Sequence, residues 1–372
     1  MTSTEAYIAL NMIRKVGPVR LRHLLGYFEN PESILKASSD QLLRVEGIGR
    51  DTAACLSDWE NQVDLVAELN RIQDYGCSVL TQQDPLYPPS LREIYDPPIG
   101  MYVAGKIPNL PFIGIVGTRN PTMYGQKQAR LFARQLTQAG FCVVSGMARG
   151  IDSAAHEGAL DAGGPTVAVL GSGLDIVYPP ENLNLYQRIM ENGAVVSEFP
   201  FGRKADRRTF PMRNRLVSGL SQAVLVVESA SSGGSLITAQ SAADQGRTVF
   251  AIPGRIDQPS SNGCHKIIRD GATLVMSVND ILEDMRPYME QKQISFNFPC
   301  DDEVEGDSKN LSNQLSSKEN LLVSQLKEGD QLSLDELSVR CSFPVYETMS
   351  LLTLLELNKY VKKNQNGKFE LL

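Results

Sequence analysis

The 372-residue chain predicts an α/β fold. We expect a doubly wound, mostly parallel sheet, preceded by a small all-helical module and followed by a winged-helix-like module. Seven short apolar runs recur through the middle of the chain, and most gaps between them can hold a helix. The runs lack in-out alternation, which indicates strands covered on both faces. A hydrophobic content of 42% is enough to fill such cores.

Charge and composition divide the chain into four parts. The first part carries 7 basic and 10 acidic residues, whereas residues 106–286 carry 18 basic and 15 acidic, so the middle is positive within a chain of net charge -7. A polar, acidic stretch with few aliphatic residues reads as a linker. The predicted parts are a helix-hairpin-helix module (1–68), the sheet core (69–286), the linker (287–317) and the winged-helix-like module (318–372).

The N-terminal part contains a glycine pattern typical of helix-hairpin-helix units. Gly47-Ile48-Gly49 lies between two helical segments in residues 42–56, and residues 13–25 hold a looser version. Such a hairpin can direct amide groups at a DNA phosphate. Because this part is net acidic, a role in packing alone stays open.

The predicted strands end in turns rich in glycine and serine. The strands are 112–116, 141–145, 166–170, 194–198, 223–228, 248–252 and 273–277. Turns of this kind bring backbone amides close to an anion, and the helix that follows adds a partial positive charge. Ligands of parallel sheets bind beyond the carboxyl ends of the strands. The sequence therefore predicts an anion-binding edge.

Several ligand classes are disfavoured. The chain has no GxxxxGK[ST] motif, and the glycine pattern at Gly171 has Ile176 in place of its third glycine, so ATP hydrolysis and dinucleotide binding are weak interpretations. Six scattered cysteines and three histidines lack zinc-ligand spacing. No stretch approaches the ~20 apolar residues of a membrane span. We expect a soluble, cytoplasmic protein without metal or cofactor.

Cationic side chains follow two of the strands. Arg119 comes directly after a strand and Gly117, where a guanidinium can grip a phosphate, although a surface ion pair is the alternative. Arg149, Asp152 and His156 share one face at the start of a helix. For His156, a structural role and general-base catalysis both stay open.

Residues 203–215 form the most basic segment, with six basic groups, one acid and Phe210. Cations beside aromatic rings suit a single-stranded nucleic acid, whose phosphates they neutralise while its bases stack. A solvated loop is the alternative. The turn Ser232 to Ser235 is either an anion-binding nest or a simple helix cap.

The C-terminal part predicts three helices and a small hairpin turning at Asn366-Gly367. This is the pattern of a winged helix. Its third helix carries Glu347 and Glu356, which is unfavourable in a DNA groove, so contact with a protein is an equal alternative.

Long motifs in residues 70–286 resemble the DprA/Smf family, that of DNA-processing protein A. They are GTRNPTMYG (117–125), SGMARGIDSAAH (145–156), LGSGLDIVYPPEN (170–182), SEFPFG (197–202), FPMRNRLVSGLS (210–221), VVESASSGGSLITA (226–239) and NGCHKIIRDGA (262–272). The resemblance implies an extended Rossmann-like core that binds single-stranded DNA and protects it. It also implies a homodimer that loads RecA in natural transformation and recombination, and no catalysis.

The resemblance also implies the DNA-binding residues. Arg119 is the expected principal contact, and some relatives carry a basic residue where this chain has Pro180-Glu181. The residues carried over are Gly117, Thr118, Arg119, Ser145, Gly146, Arg149, Gly150, Gly171, Ser172, Gly173, Arg213, Asn214, Arg215, Gly233, Gly234 and Ser235.

One enzymatic alternative stays open. Nucleotide-processing hydrolases of the lysine-decarboxylase-like family are similar in sheet and in their Gly-Gly turn, which normally feeds a helix with a catalytic glutamate. Here that helix carries Gln240, and the first carboxylate is Asp244. This departure disfavours hydrolysis.

Overall fold

A computed structural model describes residues 1–291, 317–326, 331–357, 360–364 and 367–371. Within these ranges the chain divides into two compact units, one from residues 1–120 and 129–297 and one from residues 121–128 and 298–372. No helix in the described ranges is long and apolar enough to cross a membrane.

The first unit begins with seven helices. They are α1 (Ser3–Met12), α2 (Pro18–Phe28), α3 (Pro31–Lys36), α4 (Ser39–Leu42), α5 (Arg50–Ser57), α6 (Trp59–Gln62) and α7 (Leu65–Tyr75). Gly47, between α4 and α5, has φ of +79°, a conformation that glycine adopts without strain. Gly49 then precedes the first residue of α5. The predicted Gly-apolar-Gly hairpin therefore joins two helices that share a buried core with Leu10 and Trp59.

A nine-stranded sheet forms the rest of this unit. Its strands are β1 (Ser78–Thr81), β2 (Gly100–Gly105), β3 (Phe112–Val116), β4 (Cys142–Ser145), β5 (Thr166–Val169), β6 (Ala194–Ser197), β7 (Ala223–Val226), β8 (Thr248–Ala251) and β9 (Thr273–Leu274). The order is β1-β2-β6-β5-β4-β3-β7-β8-β9, and β3 to β9 pair in parallel. All seven predicted strands are confirmed. The antiparallel β1 and β2 were not predicted.

Helices cover both faces of the sheet. They are α8 (Pro89–Arg92), α9 (Met123–Gln138), α10 (Ile151–Asp161), α11 (Leu183–Asn192), α12 (Thr209–Leu220), α13 (Ser235–Asp244), α14 (Asn262–Arg269) and α15 (Val278–Gln291). Alternate residues of β3 point to opposite sides, so Ile113 packs with α9 from Ala129 onward and with α10, while Val116 packs with α12 and α13. The doubly wound architecture is confirmed. Its switch point lies between β3 and β7, where successive connections leave to opposite sides.

The second unit contains α16 (Ser317–Gln325), α17 (Leu334–Cys341), α18 (Val345–Leu357) and the antiparallel pair β10 (Val361–Lys363) and β11 (Phe369–Leu371). This is the predicted element order, and the assignment as a winged helix stays a prediction. Helix α15 continues to Gln291, so it includes the start of the predicted linker. The linker's residues 292–316 and Asn366 of the predicted turn lie outside the described residues.

Candidate functional site

A small cleft, with a cavity volume of about 20 Å³, lies beyond the carboxyl ends of β4 and β5. Its walls come from four loops, those that follow β3, β4, β5 and β6, together with the start of α12. Three arginines line it, namely Arg119, Arg149 and Arg213, and none of its described lining residues is acidic. The cleft is therefore electropositive and sits where ligands of parallel sheets bind.

Arg119 is one of two exposed cations that line the cleft, the other being Arg149. Its guanidinium carbon lies 4.7 Å from the centroid of the Phe210 ring, which holds the group over an aromatic face. Tyr178 continues this surface, with its ring centroid 5.9 Å from that of Phe210. Among the described residues, no carboxylate forms an ion pair with Arg119, so its hydrogen-bond donors are available to an anion.

Arg213, on α12, forms the floor of the cleft and is buried. Its Nη1 donates to the carbonyl of Gly146 and to that of Val169, at 2.8 Å for the latter, so it joins the ends of β4 and β5 to α12. The side chain fits because Gly146 lacks a Cβ, which would overlap the guanidinium. Burial raises the pKa of the nearby Asp152 carboxyl, and the positive charge of Arg213 opposes that rise.

Several predicted anion-binding groups are already hydrogen-bonded within the protein. The Thr118 amide donates to the Glu228 carbonyl at 2.7 Å, and the Gly173 amide donates to the Arg203 carbonyl at 2.8 Å. The Ser145 hydroxyl donates to the Ile115 carbonyl at 2.6 Å. These groups hold the loops in place. Gly171 and Ser172 line the cleft itself, although the Ser172 hydroxyl also donates within its loop, to the Ile176 carbonyl at 2.7 Å.

Two further predicted glycines have conformational or packing roles. A Cβ at Gly117 would clash with Ile151, so this glycine lets α10 pack against the end of β3. Gly150 has φ of +81° at the start of α10. Both shape the walls of the cleft without lining it.

The remaining predicted residues are not among those that line the cleft. Arg215 forms a mostly buried ion pair with Glu198 and another with Asp96 at 3.0 Å, so it holds α12 in place. These ion pairs disfavour a place for Arg215 in a basic track, and its contact with DNA stays a prediction. The remaining predicted residues outside the lining are Asn214, Gly233, Gly234 and Ser235.

His156 lies in the core beneath β4 and β5. The Thr166 hydroxyl donates to the Val143 carbonyl at 2.7 Å, so it accepts a hydrogen bond from the Nδ1–H of His156, also at 2.7 Å. Burial, reinforced by the charge of Arg213, lowers the pKa of His156 to about 3. The residue is neutral and structural, and it does not reach the cleft as a general base would.

Sequence reasoning missed Tyr178 and Pro179, which line the cleft after β5. An aromatic residue within a loop that leaves the ligand edge was the available signal. The Gln240 side chain, central to the hydrolase alternative, is exposed on α13 and donates to Asp244 at 2.8 Å. The first turn of α13 carries no acidic residue, so this helix lacks the carboxylate that hydrolysis would use.

The fold and the cleft define an α/β protein with an arginine-lined cleft at the strand ends. Residues 78–286 match the family model for DNA recombination-mediator protein A, and residues 7–56 match a SAM-like helix-hairpin-helix tandem. The chain belongs to the DNA recombination-mediator protein A family, the DprA/Smf family, as its motifs predict. The helix-hairpin-helix prediction is confirmed as well.

Individual relatives agree. Protein Smf of a Synechocystis species is 38% identical over 311 residues, which cover 81% of this chain and 78% of that protein. The crystal structure of DNA processing protein A (DprA) from Streptococcus pneumoniae matches with a TM-score of 0.68 at 34% identity, covering 76% of this chain and 98% of that one. DNA processing protein A from Helicobacter pylori, described for its single-stranded DNA binding mode, matches with a TM-score of 0.52 at 28% identity over 57% of this chain and 98% of that one.

Proposed function

We propose that the cleft binds single-stranded DNA. In this proposal the protein is a non-catalytic, cytoplasmic homodimer that protects incoming strands and loads RecA onto them in natural transformation and recombination. The observation that carries the proposal is Arg119, an exposed guanidinium held over Phe210 in a cleft without acidic lining. Family membership and the binding mode described for the Helicobacter pylori relative support it.

The geometry suits a strand better than a duplex. Arg119 can donate two parallel hydrogen bonds to one phosphate, while the exposed Tyr178 ring offers a base a stacking surface. Stacking needs an unpaired base, because bases within a duplex already stack on their neighbours. Binding should therefore favour single strands and tolerate many sequences.

The loop before α12 extends the positive surface. Lys204, Arg207 and Arg208 are exposed, and no described carboxylate forms an ion pair with them. Neighbouring phosphates can contact these side chains once Arg119 holds the strand. In a homodimer, two clefts would hold one strand at two points and raise its apparent affinity.

The test is fluorescence anisotropy with a labelled strand of ~20 nucleotides and its duplex at two salt concentrations. Arg119→Ala should weaken strand binding by about tenfold or more, the contribution of a charged hydrogen bond. Arg188→Ala is the matched control, since Arg188 is half-exposed on α11 and pairs with Asp161 outside the cleft lining. It should bind like the wild type.

Several results would contradict the proposed function. Salt-insensitive binding, or equal affinities for Arg119→Ala and the wild type, would contradict the proposed site. Ribonucleotide hydrolysis without strand binding would favour the hydrolase alternative. For the RecA step, the protein should shorten the lag before RecA assembles on strands covered by single-strand-binding protein, and an unchanged lag would remove that part of the proposal.

A further inference from the structure

One of the arginines that line the cleft is already paired. Arg149 follows β4, and its Nε donates to Oε1 of Glu181, which follows β5. The pair therefore joins the loop after β4 to the loop after β5, with Arg149 in the lining of the cleft and Glu181 just outside it. Each side chain is about half exposed, 55% for Arg149 and 50% for Glu181. The guanidinium lowers the pKa of the Glu181 carboxyl, which is thus ionised at neutral pH.

A separate contact holds the same two walls together. The side-chain amide of Asn182 donates to the Met147 carbonyl at 2.9 Å and to the Ser153 hydroxyl at 2.8 Å. These bonds fix the segment after β5 against the start of α10 without Glu181. Exposed ion pairs contribute little to stability. Glu181 can therefore leave Arg149 while the cleft keeps its shape.

A carboxylate and a phosphate bind a guanidinium through the same donors. We propose that Glu181 occupies the position beside Arg149 that a DNA phosphate would take. It thereby lowers the affinity of the cleft for single strands. This inference rests on the proposed function. A strand already held by Arg119 presents its next phosphates at high local concentration, so it can displace Glu181. A mononucleotide has no neighbouring phosphate that could displace Glu181 in this way. The Arg149–Glu181 pair therefore favours strands over mononucleotides.

The test is a double-mutant cycle read by anisotropy with a labelled ~20-nucleotide strand at low salt, where charge effects are largest. Glu181→Gln should tighten binding by about three- to tenfold, because Arg149 no longer loses a partner. Arg149→Gln should weaken binding by about tenfold in the Glu181→Gln background and by about threefold or less in the wild type. The double variant should bind about as the wild type does.

The matched control is Glu157→Gln. Glu157 forms an exposed pair with Arg130, neither residue lines the cleft, and the substitution removes the same charge. It should leave the dissociation constant within about twofold, since a distant exposed charge is screened. If Glu157→Gln and Glu181→Gln increase the affinity equally, the increase comes from net charge alone, and the inference is overturned. Thermal unfolding of each variant checks that its fold is intact.

Two other outcomes separate this inference from the function beneath it. Glu181 does not compete with phosphate if Arg119→Ala loses binding while Glu181→Gln binds as the wild type does. The same conclusion follows if Arg149→Gln lowers the affinity by the same factor in both backgrounds. If the wild type fails to bind the strand, or Arg119→Ala binds equally well, the proposed function itself fails.

Discussion

Two stretches of one sheet edge carry similar glycine- and serine-rich loops but use them differently. Beyond β4 and β5, the loops leave a cleft in which Arg119 is exposed. Beyond β7 and β8, polar groups of neighbouring loops bond one another: Ser235 donates to Ser229 at 2.8 Å, and the Gly263 amide donates to the Ser229 carbonyl at 2.7 Å. Among the described residues, the first stretch leaves the exposed Arg119 without an ion pair in its cleft, whereas in the second stretch these hydrogen bonds hold neighbouring loops together.

The largest expected loss of stability comes from replacing Arg213, the buried cation beneath the cleft. Arg213→Ala would leave the Gly146 and Val169 carbonyls without their donor and Asp152 without its compensating charge. Removing one partner from such a buried arrangement costs about 3–5 kcal/mol. Urea unfolding should show that loss in the free energy of unfolding.

The matched control for this substitution is Arg203→Ala. Arg203 is half-exposed and pairs with Asp206 in the loop before α12. Its removal should leave the unfolding free energy unchanged within error. Equal losses in the two variants would mean that Arg213 does not organise the floor of the cleft.

A pair of glycines compares the two regions more directly. A Cβ at Gly146 would overlap the Arg213 guanidinium, and displacing a packed, hydrogen-bonded group costs about 1–3 kcal/mol. At Gly234, beyond β7, a Cβ would meet nothing within 4 Å, and φ is -62°. Gly146→Ala should therefore destabilise the protein, whereas Gly234→Ala should be neutral or slightly stabilising. A similar loss in both, measured by urea unfolding, would contradict this contrast.

The sequence predicted the parallel part of the sheet well, because buried parallel strands are continuous apolar runs. Strands β1 and β2 were not predicted because β1 is partly exposed, and neither is followed by the glycine-rich turn that follows the other strands. Arg119 was predictable from its place after a strand. Its stacking on Phe210 joins residues far apart in the chain, and only the fold brings these together.

Arg213 and Arg215 show why the rest of the site was not predictable. Because they lie two residues apart on a helix, their side chains point about 160° apart around its axis. One therefore enters the cleft floor while the other meets Glu198 and Asp96. The sequence of a basic segment does not show which of its arginines have acidic neighbours, because those neighbours belong to other elements of the fold.

A smaller effect concerns the core beneath the first region. The unfolded chain protonates His156 near pH 6.5, whereas in the folded state its pKa is about 3. The unfolded state thus binds more protons as the pH falls below 6.5, so this stability is present above that pH and is lost towards pH 3. Between pH 7 and 5, the wild type should lose about 1–2 kcal/mol more than His156→Gln in urea unfolding. Equal losses would mean that His156 is open to protons.

The smallest expected effect tests whether the second region takes part in binding. Ser235 was predicted to hold DNA, but its hydroxyl donates to Ser229 and lies outside the cleft lining. Ser235→Ala removes one neutral hydrogen bond, so stability should fall by about 1 kcal/mol. Strand affinity by anisotropy should stay within about twofold of the wild type. A loss comparable with that of Arg119→Ala would place DNA on both stretches of the edge, and the contrast between a binding loop and a packing loop would no longer hold.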